Sequence, residues 1–298
     1  MKILVLLGGV SNEREVSLRS GRAVADALKA SGHEVVEYDP QQGLEGLAQF
    51  VGKVDCVFPI LHGKGGEDGT IQAELEKLGF KFLGSGSQVS QVCFDKNKFK
   101  EILNKLSILT PQSEIVTRIS IGASPLLQRP YVLKPLNGGS SLDAFIIRDP
   151  VNRAYDPRIF DHYQLLILEQ LIEGTEITVP VLGDAALPVI EIIPPQGGEF
   201  DYANKYNGET QELCPPQHID AAKQQEAQRL TEQIHKAVGA RHLSRTDIII
   251  DSEGKMWVLE INNIPGLTET SLYPKAAAVA GINMQQLVQK FLDLAMQG

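Results

Sequence analysis

The sequence predicts an α/β opening domain on a parallel sheet, followed by α+β domains built on antiparallel hairpins. Three observations carry that reading. Apolar runs at Lys2–Leu7, Glu34–Tyr38 and Cys56–Leu61 alternate with helical stretches, the βαβ pattern of a parallel sheet. Two later pairs of apolar runs are joined by short polar turns, Asn137-Gly-Gly-Ser-Ser141 and Asp251-Ser-Glu-Gly254, as hairpins are. The chain has 298 residues, 43% of them hydrophobic, enough for two or three cores.

The first strand runs into Gly8-Gly9 and then a helix, with Val16, Val24, Ala27 and Leu28 facing the core and Gly32 closing it. Asn12 and Glu15 have capping-box spacing. The third strand ends at His62-Gly-Lys-Gly-Gly-Glu-Asp-Gly69, and a helix follows from Thr70 to Leu78. A glycine-rich loop at a strand's C-terminal end is where open α/β sheets bind ligands.

A helical stretch then carries Lys96, and Pro111, Gly122, Pro125 and Pro130 punctuate an irregular segment. Strands at Tyr131–Lys134 and Ala144–Arg148 form the first hairpin, whose tip offers backbone N–H groups and the Ser140 and Ser141 hydroxyls to anionic oxygens. Leu165–Glu169 is an apolar strand, and Glu176–Leu182 alternates so that Glu176 leaves the packed face. Residues Pro194 to Pro215, with Lys205-Tyr206, lack apolar periodicity and read as a lid or binding loop. Helices are expected at Asp220–Val238 and after Asn283, the latter packing Leu287, Phe291 and Leu294.

The second hairpin carries the densest chemistry. If Ile250 pairs with Lys255, Asp247 falls opposite Val258, and Arg245, Asp247, Glu260 and Asn262 share one face. Two carboxylates and an amide oxygen are hard ligands suited to Mg²⁺, which normally holds one or two carboxylates plus waters and substrate phosphates. The rigid Pro265-Gly266 turn that follows presents backbone to a ligand.

A net charge of −9 argues against nucleic acid or anionic membrane as partner. Three scattered cysteines, Cys56, Cys93 and Cys214, suit reduced thiols in the cytoplasm. No apolar run approaches the roughly 20 residues of a membrane span. The opening run is too short for a signal-peptide core.

Six ordered motifs resemble the D-alanine–D-alanine ligase family of the ATP-grasp superfamily, over nearly the whole chain. They are GGVSNEREVSLRSG, HGKGGEDGTIQ, Lys134 with its glycine-rich turn, the stretch Glu169 to Glu176, Lys205-Tyr206, and Arg245 through Leu272. The resemblance implies an ATP-grasp fold with a Rossmann-like N-terminal domain (1–94), a central lid domain (95–172) and a C-terminal domain with the metal and substrate site (173–298). It implies ligation of two D-alanines through a D-alanyl phosphate, for peptidoglycan synthesis, with ATP and two Mg²⁺ or Mn²⁺ ions. A homodimer is usual in such a family.

By the same resemblance, Glu15, His62, Ser271 and Leu272 hold substrate. Lys96, Lys134, Ser140, Ser141 and Lys205 meet the phosphates, Glu169, Gln170, Leu171 and Ile172 the adenine, and Glu176 the ribose. Asp247, Glu260 and Asn262 hold metal, while Arg245 and Gly266 stabilise the oxyanion and Ser140 and Tyr206 link lid to substrate. Lys205-Tyr206 favours an amine acceptor over a hydroxy acid.

The chain departs from the family at two points. The proline-punctuated segment is short, implying a trimmed or rearranged central domain. Asp143 stands where a glycine is usual, and a carboxylate facing the triphosphate would repel it. Other readings are a related ligase with a different second substrate, a catalytically weak homologue, and a Rossmann oxidoreductase. The last lacks a Gly-x-Gly-x-x-Gly fingerprint after the first strand.

Overall fold

The computed structural model describes residues 1–138, 143–195 and 210–297. Its first sheet is parallel, in the order β2-β1-β3, from β1 (Lys2–Leu6), β2 (Glu34–Tyr38) and β3 (Cys56–Pro59). Helix α1 (Arg14–Ala30) buries Val16, Val24, Ala27 and Leu28 as its periodicity requires. Asn12 and Glu15 do not form the expected box: Glu13 is the N-cap residue, without a side-chain cap bond. The helix expected between β2 and β3 is replaced by two 3-10 segments, Pro40–Gln42 and Leu44–Phe50. Pro40 and Gly43, at φ 109°, interrupt that stretch and prevent a continuous α-helix. Helices α2 (Thr70–Lys77), α3 (Ser87–Phe94) and α4 (Lys96–Lys105) follow.

The central antiparallel sheet has the order β4-β7-β5-β6, from β4 (Ser113–Val116), β5 (Tyr131–Pro135), β6 (Phe145–Ile147) and β7 (Leu166–Gln170). The proline-punctuated segment therefore contributes a strand of its own, β4, which apolar periodicity did not mark. This sheet has a separate core of Val116, Leu126, Leu133, Ile147, Leu166 and Leu168, and the short helix α5 (Ile159–His162) adds Ile159 to it.

The third sheet has the order β11-β10-β8-β12-β13, with β9 (Ala185–Ala186) beside β8. Its strands are β8 (Thr175–Leu182), β10 (Ile190–Ile193), β11 (Gln211–Leu213), β12 (Leu243–Ile250) and β13 (Met256–Asn262). Strand β11 lies inside the segment read from sequence as wholly loop. Helix α6 (Ala221–Val238) is capped by Asp220, whose carboxylate accepts from the Lys223 N–H. Helices α7 (Leu272–Val279) and α8 (Met284–Gln297) end the chain. Phe291 and Leu292 of α8 share a buried cluster with Ile3, Phe58, Leu187 and Leu243, so the C-terminal helix ties the first sheet to the third.

Candidate active site

The hairpin β12–β13 builds one wall. Its register differs from the sequence expectation: Ile250 pairs with Met256, Ile248 with Val258, and Asp247 directly with Glu260, with a bulge between. The extra residue is Leu259. Val258 and Ile261, three apart, both reach the core beside Ile248, which strict alternation forbids. The bulge turns Glu260 and Asn262 away from that core. Arg245 pairs with Asn262, so the four polar residues share one face as expected, by a different register.

Each carboxylate on that face already meets a cation. Arg245 holds Asp247 through two bonds, Nε and Nη2, each 3.0 Å, and the Thr178 hydroxyl also donates to Asp247. Burial alone would lower the Arg245 pKa, but Asp247 outweighs it and the guanidinium is raised further. Glu260 lies 3.5 Å from Lys96 Nζ. The Asn262 side-chain oxygen accepts from the Ile264 N–H at 2.9 Å.

Lys96 opens α4 and faces inward, donating to the Gly138 carbonyl. Its burial, only partly offset by Glu260, lowers its pKa. One turn on, Lys100 emerges on the same side and lies 2.8 Å from Glu169, which Lys134 meets on its other oxygen, also at 2.8 Å. Burial would raise the Glu169 pKa, yet the two lysines bring it to about 2. Lys134 is raised: burial pushes it down, and Glu169 with Glu260 more than compensates. Lys100 is lowered, burial prevailing over Glu169. Glu169 was expected at an adenine contact through its backbone, and its side chain is a buried counter-ion to the two lysines. The Gln170 and Leu171 N–H groups donate to the carbonyls of Gln112 and Pro130.

Between the three sheets lies a cleft of about 1280 Å³. Lys96, Lys134, Glu176, Asp247 and Glu260 line it, and Asn262 borders a small adjoining cavity with Lys96 and Glu260. Glu15 is corrected: it lies exposed on the outer face of α1, away from the cleft, because Val16, Ser17 and Ser20 set the buried side of that helix. Glu13, before the helix, is buried and lines the cleft in its place. Sequence reading also missed Lys64 and Tyr163, both on the cleft wall, and Lys100. The inward lysines at i and i+4, flanking Phe99, were the signal for Lys100.

His62 does not line the cleft. It is buried, with Nε2 3.3 Å from the Ser20 hydroxyl and Nδ1 4.0 Å from Glu67. Ser20 also accepts from the Leu267 N–H at 3.3 Å, so His62 and the turn after Pro265 meet on one α1 hydroxyl. A Cβ at Gly266 would stand 2.9 Å from the Ser271 Oγ, tighter than ordinary contact. Ser271 accepts from the Thr268 N–H at 3.1 Å, and buried Leu272 begins α7. Arg245, Glu169 to Ile172, Gly266, Ser271 and Leu272 are not among the cleft-lining residues. Ser140, Ser141, Lys205 and Tyr206 lie outside the described residues.

Lysines around one cleft can hold the oxygens of a phosphorylated substrate. The sequence profile of the D-ala D-ala ligase C-terminus matches residues 107–293, and that of the N-terminus residues 39–85. Proteins named D-alanine–D-alanine ligase from Nitratidesulfovibrio vulgaris (strain DP4) and Actinobacillus succinogenes are 39% and 38% identical, each alignment covering 99% of this chain and 98% of the relative. The structure resembles that of D-alanine–D-alanine ligase from Bacillus anthracis complexed with ATP, at a TM-score of 0.86 and 29% identity, covering 100% of this chain and 98% of that one. A D-Ala:D-Ser ligase from Enterococcus faecalis follows at 0.81 and 28%, covering 99% of both chains. The chain belongs to the D-alanine–D-alanine ligase family.

Proposed function

We propose that this chain joins two D-alanines into D-alanyl-D-alanine for peptidoglycan synthesis, with conversion of ATP to ADP and phosphate. The observation that carries the reading is full-length similarity to ligases of that name, joined to a cleft where Lys96 and Lys134 face Asp247 and Glu260. A carboxylate oxygen is a poor leaving group. Transfer of the γ-phosphoryl group to the first D-alanine carboxylate makes an acyl phosphate. The second D-alanine's amine then attacks the acyl carbon, and phosphate leaves as the amide forms.

Lys96 and Lys134 bind phosphate oxygens, and Glu176 the ribose. Lys205 and the Ser140–Ser141 hydroxyls are assigned to the phosphates, and the backbone of Glu169 to Ile172 to the base. Glu13, rather than Glu15, is the carboxylate near the first D-alanine's ammonium. His62 acts from beneath through Ser20, positioning the turn that carries the Gly266 N–H. Arg245 and that N–H stabilise the tetrahedral oxyanion, each donor worth about 3 kcal/mol. The N-terminal end of α7 at Ser271 and Leu272 receives the second carboxylate, and Tyr206 links lid to substrate.

Asp247, Glu260 and Asn262 fit Mg²⁺ or Mn²⁺: they are hard oxygens on one face, and Arg245 and Lys96 hold cationic charge beside the two carboxylates. When bound, two such ions would neutralise phosphate charge and align the transfer. Divisions at 1–94, 95–172 and 173–298, a cytoplasmic location and a homodimer complete the proposal. Among the described residues no helix is long and apolar enough to cross a membrane.

Incubation with ATP, Mg²⁺ and D-alanine should yield dipeptide and equimolar phosphate. Absence of dipeptide would overturn the reading. Similarity to a D-Ala:D-Ser ligase makes a mixed product the second reading, and competition of D-alanine against D-serine and D-lactate separates the three. Dipeptide should dominate.

A further inference from the structure

Leu136, Asn137 and Gly138, which follow β5, line the cleft, and the two described ends of the β5–β6 connection are held differently. At its start, the Lys96 N–H donates to the Leu136 carbonyl at 3.3 Å, and Asn137 bridges Asp95. At its return, Asp143 precedes the edge strand β6, which pairs with β5. Here the Tyr163 hydroxyl donates to Asp143 Oδ2 at 2.7 Å. Tyr163 follows α5, packs partly on the central core and lines the cleft. Asp143 itself is exposed and does not line the cleft, so its carboxylate is directed to the phenol and not to a bound triphosphate.

Two further facts give this bond weight. Asp143 sits at φ 58°, the left-handed region where glycine is favoured, so its side chain occupies a backbone position that an L-residue rarely takes. Burial and the Asp143 carboxylate push the Tyr163 phenol up to about 12, so it remains a donor throughout the physiological range.

We infer that Asp143 and Tyr163 are a positioning pair, whose hydrogen bond fastens the return end of the β5–β6 connection to the cleft wall and thereby sets nucleotide affinity. The inference rests on the ATP-dependent reading above. It reverses the expectation that Asp143 weakens binding by repulsion. The bond orders Tyr163 on the cleft wall and the return into β6 before nucleotide arrives. Without it, that ordering falls on the binding step, at the cost of affinity and not of chemistry.

The test is a double-mutant cycle read by calorimetric titration with a non-hydrolysable ATP analogue and Mg²⁺, beside KM and kcat in dipeptide formation. Asp143→Ala and Tyr163→Phe should each weaken nucleotide binding roughly fivefold, the effect of one net hydrogen bond, with kcat within about twofold. The double variant should be no weaker than either single one. Asp143→Asn keeps an acceptor for the phenol and should bind within about twofold of wild type. Additive losses, no loss in either single variant, or tighter binding by Asp143→Asn would each overturn the pair. Wild type that binds the analogue but makes no dipeptide refutes the ligase reading and leaves the cycle decisive for the pair.

Discussion

Two sets of paired charges, one buried behind the cleft wall and one facing the cleft, differ in what they leave available. In the central sheet, Glu169 is only 2% exposed and each of its oxygens meets a lysine. On the β12–β13 hairpin, Glu260 has one lysine at the longer distance of 3.5 Å, and it opens onto the cleft. The first set has its charge settled inside the protein. In the second, a metal ion can take the place of Lys96 beside Glu260, and a phosphate the place of Glu260 beside Lys96. A buried ion pair contributes little as a whole but costs much when one partner is removed, whereas a cleft-facing pair can exchange. Burial therefore separates Glu169 and Lys100, which keep the fold, from Glu260 and Lys96 on the cleft, while Lys134 joins the two sets by pairing with Glu169 and lining the cleft.

The sharpest way to break that contrast is Glu169→Gln. Two buried lysines would lose their counter-ion, and the loss should be about 3–5 kcal/mol, seen as a large fall in urea midpoint. A shift below about 1 kcal/mol would place Glu169 with the exchangeable set.

Acid should reproduce part of that loss. The folded-state pKa of Glu169, about 2, lies below its ordinary 4.5, so its contribution is complete above pH 4.5 and disappears as pH falls towards 2. At about 1.4 kcal/mol per unit, some 3 kcal/mol is at stake. Stability against pH should be steeper for wild type than for Glu169→Gln across that window. Parallel curves would refute the assignment.

Glu260→Gln should act on chemistry instead. It removes a charge at constant volume, and dipeptide formation should fall about 100-fold or more, in line with losses at metal sites, while the fold is nearly retained. Wild-type turnover would sink the proposed metal site. As the smallest effect, Arg118→Ala at the exposed pair with Asp161 should change stability by less than about 0.5 kcal/mol. A larger change would mean that burial does not separate the charges as drawn here.

Much of this was legible in the chain. Apolar runs located β1, β2, β5 and most of β8, since burying an uninterrupted strand demands continuous or alternating apolar residues. The same periodicity gave the buried face of α1, and read through to Glu15 it would have placed that residue outside. The motifs carried Lys96, Lys134, Glu176, Asp247 and Glu260 to the cleft they line. Strand β4 escaped because four residues between prolines show no period, and they become a strand through pairing with β7.

By itself the sequence determined the order of elements, the face each presents to a core and the residue types brought to the cleft, all properties of local spacing. Tertiary structure decided which partners those residues meet. The bulge at Leu259 exists because Val258 and Ile261 both find space against the third-sheet core, and that choice sets Glu260 opposite Asp247. Lys100 and Glu169 lie 69 positions apart, and Asp143 and Tyr163 belong to different elements. No local rule couples them: their pairing is a consequence of how α4, α5 and the central sheet pack, and at Lys100 and Glu169 that packing also removes the water that would otherwise screen the charges.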